Sequence, residues 1–131
     1  MDDRLKGIAE GLVRFGWVYQ DGQIVEHKER GFMIITEPSL VAVNDSFLLK
    51  IDELANEGFL RGFLCENMEG FDIMRARIGG GGEEYVAGYG CRYVKNGDMA
   101  GVGGQTYQEA LINCAEAFVL MREASNERLQ D

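Results

Sequence analysis

Several residue types are scarce in this sequence, and each scarcity excludes something. Histidine occurs once, as His27, and cysteine three times, as Cys65, Cys91 and Cys114, with no CxxC spacing. A structural zinc site draws its ligands from closely spaced pairs of these two types, so no metal site is expected. The odd cysteine count points instead to reduced thiols in a cytosol. Cys91 falls on a tyrosine-rich strand and Cys114 on the apolar face of the last helix, so both read as small buried hydrophobes. Long apolar runs are also lacking: no stretch approaches the roughly 18 residues of a membrane span. The start, MDDRLKG, has no basic segment followed by an apolar one, so neither a signal peptide nor a membrane span is expected. Basic residues number 13 against 22 acids, a formal charge of −9. That balance repels nucleic-acid backbones and anionic membranes and suits a cationic partner, although acidity also serves solubility.

At 131 residues the chain has the usual size of one domain, and residues 1–131 are read as a single one. Hydrophobic residues at 46% and charged residues at 27% are globular values. The 18 glycines against a single proline, Pro38, favour tight turns between short antiparallel strands over a helical bundle.

In chain order, Asp2 or Asp3 caps a first helix whose Leu5, Ile8, Ala9 and Leu12 share a face that should pack on a sheet, and Gly16 is placed to end it. Phe15 to His27 reads as a hairpin about Asp21-Gly22, with Phe15, Trp17 and Tyr19 on one side. The apolar run Phe32 to Thr36 predicts a strand buried on both faces, ended by Glu37-Pro38-Ser39. Asn44, Asp45 and Ser46 offer caps for a helix carrying Leu48, Ile51, Leu54 and Ala55 inward, stopped by Gly58. Leu60 to Cys65 and Phe71 to Ile78 follow as two strands. Gly79 to Gly82 is a flexible tip. The next strand alternates Tyr85, Ala87, Tyr89, Cys91 and Tyr93 with a face whose glycine gaps could receive a helix.

A turn at Asn96-Gly97-Asp98 leads into a strand over Met99 to Val102. Thr106 and Glu109 then form a capping box before a helix whose stripe is Tyr107, Ala110, Leu111, Cys114, Ala117, Phe118 and Met121. The expected fold is α+β: one twisted antiparallel sheet of about five to seven strands, packed by helices near residues 3–14, 46–57 and 106–124, the last C-terminal.

Two of these segments, Gly88-Tyr89-Gly90-Cys91 and Thr106-Tyr107-Gln108-Glu109-Ala110-Leu111, resemble the glycine-aromatic-cysteine strand and the closing T-x-x-E-A-I/L helix of the phage ABA sandwich domain family. The similarity extends over the last two thirds of the chain. The family carries no established reaction to transfer. What the resemblance implies is a source in a bacterial virus or prophage, where small acidic proteins act by binding a host protein.

No catalytic residue or cofactor is assigned. His27 is the only imidazole base and has no serine or cysteine nucleophile nearby, and the pairs Asp52-Glu53, Glu66 with Glu69, and Glu83-Glu84 read as solvated acids. The leading candidate is a partner-binding acidic surface made of Asp45, Asp52, Glu53, Glu57, Glu66, Glu69 and Asp72, reinforced if Phe47, Phe59 or Phe63 is exposed beside it. It suits a host protein with a basic groove, a nucleic-acid-binding, CRISPR-type defence complex in the bacterial cytosol, which this chain would inhibit by competition. The alternative is an anion or nucleotide site at Gly101, Gly103 and Gly104 before the last helix, with charge from Arg92 or from Arg75 and Arg77, in a homo-oligomer.

Overall fold

A computed structural model describes residues 2–78 and 86–130. The chain divides into two compact units, residues 1–59 and 60–131. The architecture is α+β, but its six strands form two separate three-stranded antiparallel sheets in place of the single sheet expected, with four α-helices among the described residues.

The first unit begins with α1 (Asp3–Arg14). Asp2 caps it as expected, its Oδ1 accepting from the Arg4 amide at 2.7 Å. The helix ends in a Schellman arrangement: the Trp17 amide donates to Leu12 O at 2.8 Å and the Gly16 amide to Val13 O, with Gly16 at φ +114°. Its buried Ile8, Ala9 and Leu12 pack on the sheet formed by β1 (Ile24–His27), β2 (Gly31–Ile34) and β3 (Phe47–Leu49), in which β1 is central.

The expected Phe15 to His27 hairpin does not form. Asp21-Gly22 does turn, with Gly22 at φ +89°, but the segment before it is not a strand. The reason is Gln23, which is fully buried. Its Oε1 accepts from Trp17 Nε1 at 3.3 Å and from the Gln20 amide at 3.2 Å, and its Nε2 donates to Val18 O at 3.4 Å. One side-chain amide thereby takes backbone bonds that a ladder partner would otherwise supply. The hairpin instead closes at Lys28-Glu29-Arg30, where His27 Nδ1 accepts from the Glu29 and Arg30 amides at 3.1 and 3.2 Å.

Two further expectations fail in this unit. The run read as a strand buried on both faces is the exposed edge strand β2, with Phe32 60% and Ile34 63% accessible; only Ile35 beyond it is buried. Pro38 opens the short helix α2 (Pro38–Ala42), as its fixed φ allows at a first helical position. The predicted helix over 46–57 is absent. Asn44 Oδ1 accepts from the Ser46 amide in a local turn, Phe47–Leu49 pairs with β1, and a single 3₁₀ turn covers Leu54–Asn56. Leu49 and Ile51 are buried, whereas Leu54, assigned inward by the helical spacing, is 75% exposed.

The division between units falls in the first turn of α3 (Glu57–Asn67). This helix replaces the predicted strand over Leu60 to Cys65, because Leu60 and Leu64, four apart, are the buried pair; Gly58, read as a stop, lies inside it. The second unit then follows the expected order: β4 (Asp72–Ile78), β5 (Val86–Lys95) and β6 (Asp98–Gly104), with β5 central, and α4 (Tyr107–Gln130). The Gly79–Gly82 tip, the Glu83-Glu84 pair and Tyr85 lie outside the described residues.

Asn96 and Gly97, at φ +54° and +84°, make the two-residue turn that joins β5 to β6. α4 covers the aromatic face of β5 and not the glycine face. Tyr107 meets Tyr89 edge-on with centroids 5.5 Å apart, and Cys91 Sγ donates to Ala110 O at 3.5 Å. The buried stripe is also wider than expected, adding Ile112, Ala115 and Val119 to Ala110, Leu111, Cys114 and Phe118. No described helix is long and apolar enough to cross a membrane.

Candidate functional site

The seven acids of the expected surface divide by environment and by unit. Asp45 is exposed in the loop before β3; Asp52 is tied to Lys50 Nζ at 3.0 Å; Glu53 and Glu57 flank the 3₁₀ turn and are half-buried. In the second unit, Glu66 and Glu69 are exposed around the end of α3, and Asp72 opens β4 with Arg92 Nη2 at 3.3 Å. The three aromatic anchors do not stand exposed among them. Phe47 packs on the buried Val25, Ile35 and Val41 and lies edge-on to His27, Phe63 lies edge-on to Phe118 at 5.2 Å, and Phe59 is half-buried.

The glycines before α4 sit in β6 and serve close approach. A Cβ on Gly101 would stand 3.0 Å from Cys91 O, and one on Gly104 would stand 2.6 Å from the Ala110 nitrogen. The capping box uses the donors that an anion would otherwise find: Glu109 Oε2 accepts from the Gln105 and Thr106 amides at 2.9 and 3.3 Å, while the Glu109 amide donates to Thr106 Oγ1 at 3.0 Å. The Gly103 carbonyl accepts from Asn113 Nδ2 at 2.7 Å. Arg92 stands in register with Gly101, its guanidinium held by Asp72. Arg75 and Arg77 lie nearer the helix start. With Tyr89 and Gln105 they line an open groove of about 470 Å³, Arg75 pairing in register with Tyr89 and Tyr89 with Gly104.

A larger cleft, about 570 Å³, lies wholly within the first unit. One wall is α1, which presents Asp3, Lys6, Glu10 and Val13 at spacings of three and four, a single helical face. Tyr19, Val41 and Phe47 make an apolar floor, and Glu26 of β1, Lys28 and Asp45 complete the rim. Burial raises the Tyr19 phenol above its ordinary range. Four carboxylates therefore face two ammonium groups around an apolar floor. Among the described residues none of the six charges is held in an ion pair. Such a site attracts a cationic group while offering its methylene stem an apolar contact.

Of the residues named from sequence, only Asp45 and Phe47 line this cleft. Asp3, Glu10 and Glu26 were missed because they are dispersed in a chain whose acids are denser farther on. The repeat Asp3, Lys6, Glu10, Val13 along the outer face of a helix already assigned was the available signal. The chain has no match among family models, curated proteins or solved structures.

Proposed function

We propose that this protein is a non-enzymatic binding protein that engages a basic surface of a partner, with the first-unit cleft as its anchor. The observation that carries the reading is the convergence of Asp3, Glu10, Glu26 and Asp45 around the floor of Tyr19, Val41 and Phe47. A lysine or arginine side chain of the partner enters the cleft, its stem against the aromatic floor and its head among the carboxylates. Exposed Glu66 and Glu69 add to the negative field that steers a cationic partner. Inhibition of a host nucleic-acid-binding complex by occupying its basic groove, in a bacterial cytosol, belongs to the same proposal and rests on the acidity and on the resemblance to phage ABA sandwich domains.

Fluorescence anisotropy with a labelled oligoarginine peptide tests the anchor. Binding should weaken as salt rises, and Glu26→Lys with Asp45→Lys should lower affinity by about tenfold or more, in line with what charge pairs contribute at interfaces. Glu66→Lys with Glu69→Lys should reduce it less. Equal binding by the cleft variant would remove this reading.

A second reading is favoured by the groove of Arg75, Arg77, Tyr89 and Gln105, where two exposed guanidinium groups without a described carboxylate partner flank the start of α4. It suits a small anion such as a nucleotide, with a tyrosine beside it for stacking. Added at 100 times its dissociation constant, a nucleotide would stabilise the fold by about 2.7 kcal/mol. A thermal shift with ATP that disappears in Arg75→Ala with Arg77→Ala is the expected result; no shift at millimolar ATP rejects this reading.

A further inference from the structure

The arginine groove of the second unit brings together side chains of unlike chemistry, and its shape has a structural cause. Arg75 stands in register with Tyr89, and Tyr89 with Gly104, so the β4 wall and the turn before α4 face each other across β5. Two strand spacings separate them, about 10 Å. The helix does not close this end of the sheet. Tyr107 of α4 meets Tyr89 and Ala110 meets Cys91, so α4 advances away from Ala87 and leaves the face before Tyr89 uncovered by the helix.

The polar groups along the groove are uncommitted. Arg92 is held by Asp72, and the buried carboxamides of Gln23 and Asn56 are occupied by backbone. Among the described residues, the guanidinium groups of Arg75 and Arg77 and the carboxamide of exposed Gln105 have no hydrogen bond or ion pair. Gln105 uses only its backbone amide, which donates to Glu109 Oε2 at 2.9 Å. One wall therefore offers two positive charges and the opposite wall a neutral amide, with the Tyr89 ring between them held edge-on by Tyr107. A ligand that answers all three has an anionic end, a flat ring and a hydrogen-bonding edge on that ring. A nucleotide has this anatomy, and a simple anion does not.

The carboxamide also distinguishes between bases. It carries donors on one atom and an acceptor on the other. Adenine presents its 6-amino donor beside the N7 acceptor, whereas guanine presents two acceptors there, N7 and O6. An amide therefore pairs bidentately with adenine and satisfies only one of the two guanine atoms. We propose that the groove is an adenine-nucleotide site in which Gln105 selects the base, Tyr89 stacks against it, and Arg75 and Arg77 hold the phosphates. This selection presupposes the anion site described above and adds the identity of the base to it.

Isothermal titration of the full chain with ATP, ITP and tripolyphosphate provides the test. ITP carries a carbonyl oxygen where ATP carries the 6-amino group, and otherwise matches it in size and charge. ATP should bind about tenfold more tightly than ITP, within what a bidentate pair to a base contributes. Gln105→Leu should bring ATP and ITP to within about twofold of each other by removing that pair, and should leave tripolyphosphate binding unchanged. Because Gln105 is exposed and its backbone bond to Glu109 survives the change, the fold is kept. Equal binding of ATP and ITP, or an ATP preference that survives Gln105→Leu, overturns the base selection; tripolyphosphate binding that disappears in Arg75→Ala with Arg77→Ala would then still uphold the anion site. Absence of binding by ATP and tripolyphosphate alike removes the anion site and the selection with it.

Discussion

Replacing Asn56 with alanine is expected to destabilise the first unit by about 2 kcal/mol, more than any surface change in this chain. Asn56 is 1% exposed, and its carboxamide joins two stretches of backbone. Oδ1 accepts from the Ile24 amide at 2.8 Å; Nδ2 donates to Ile24 O at 2.8 Å and to Lys50 O at 2.7 Å. Ile24 O also accepts from the Lys50 amide at 3.1 Å and Lys50 O from the Glu53 amide at 3.2 Å, so the group left without a partner is the Ile24 amide. A buried amide left without a partner costs about 1–3 kcal/mol. Asn56→Asp should be no better, since a carboxylate keeps the acceptor but sets negative charge against two carbonyl oxygens in a buried place. Urea unfolding followed through Trp17, the only tryptophan and a buried member of the same unit, measures the effect. A loss below about 1 kcal/mol would show that water replaces the carboxamide and that the clamp is dispensable.

Gly104→Ala should have a comparable effect on the second unit, by overpacking. The added Cβ would stand 2.6 Å from the Ala110 nitrogen, 2.7 Å from Glu109 Cβ and 2.8 Å from the Glu109 carbonyl carbon. Two of these are backbone atoms, so the conflict cannot be relieved by turning a side chain. The start of α4 must lift from β6, stretching the capping box of Thr106 and Glu109 and the contact between Cys91 and Ala110 O. Overpacking of this kind costs about 1–3 kcal/mol, and its backbone character places Gly104→Ala at the upper end. Gly7→Ala is the internal control. It lies within α1 with nothing within 4 Å of the new methyl, and should stabilise by about 0.5–1 kcal/mol. Thermal unfolding of the three proteins by circular dichroism settles the comparison; a Gly104→Ala chain within about 0.5 kcal/mol of its parent would mean that α4 docks with slack.

Elements whose determinants lie within a few residues of one another were legible from sequence. The Asp2 cap and Gly16 stop of α1, the Asn96-Gly97 turn and the Thr106–Glu109 capping box each satisfy backbone donors or a left-handed φ locally. Each therefore forms wherever the chain goes next. The alternation within Asp72–Ile78 and within Val86–Lys95 was legible for the same reason, since the pleat imposes its period on the residues themselves. Along α1 the same locality placed Asp3, Lys6 and Glu10 on one face, although what stands opposite them was not readable.

Where a distant partner supplies the hydrogen bonds, local pattern gave the wrong element. Phe47–Leu49 carries caps and apolar spacing suited to a helix, yet becomes a strand because β1, some twenty residues earlier, offers a ladder. Residues 17–20 alternate like a strand and remain a loop because one buried glutamine side chain bonds their backbone. The site follows the same division. The sequence by itself determined an acidic chain, a capped amphipathic first helix and three cysteines outside any CxxC pattern. Only the tertiary structure decided that Glu26 and Asp45 join the α1 acids around one floor, and that Met68 meets Cys114 from 46 positions away. Both depend on chain closure between distant segments, and no interaction between near neighbours in the sequence encodes it.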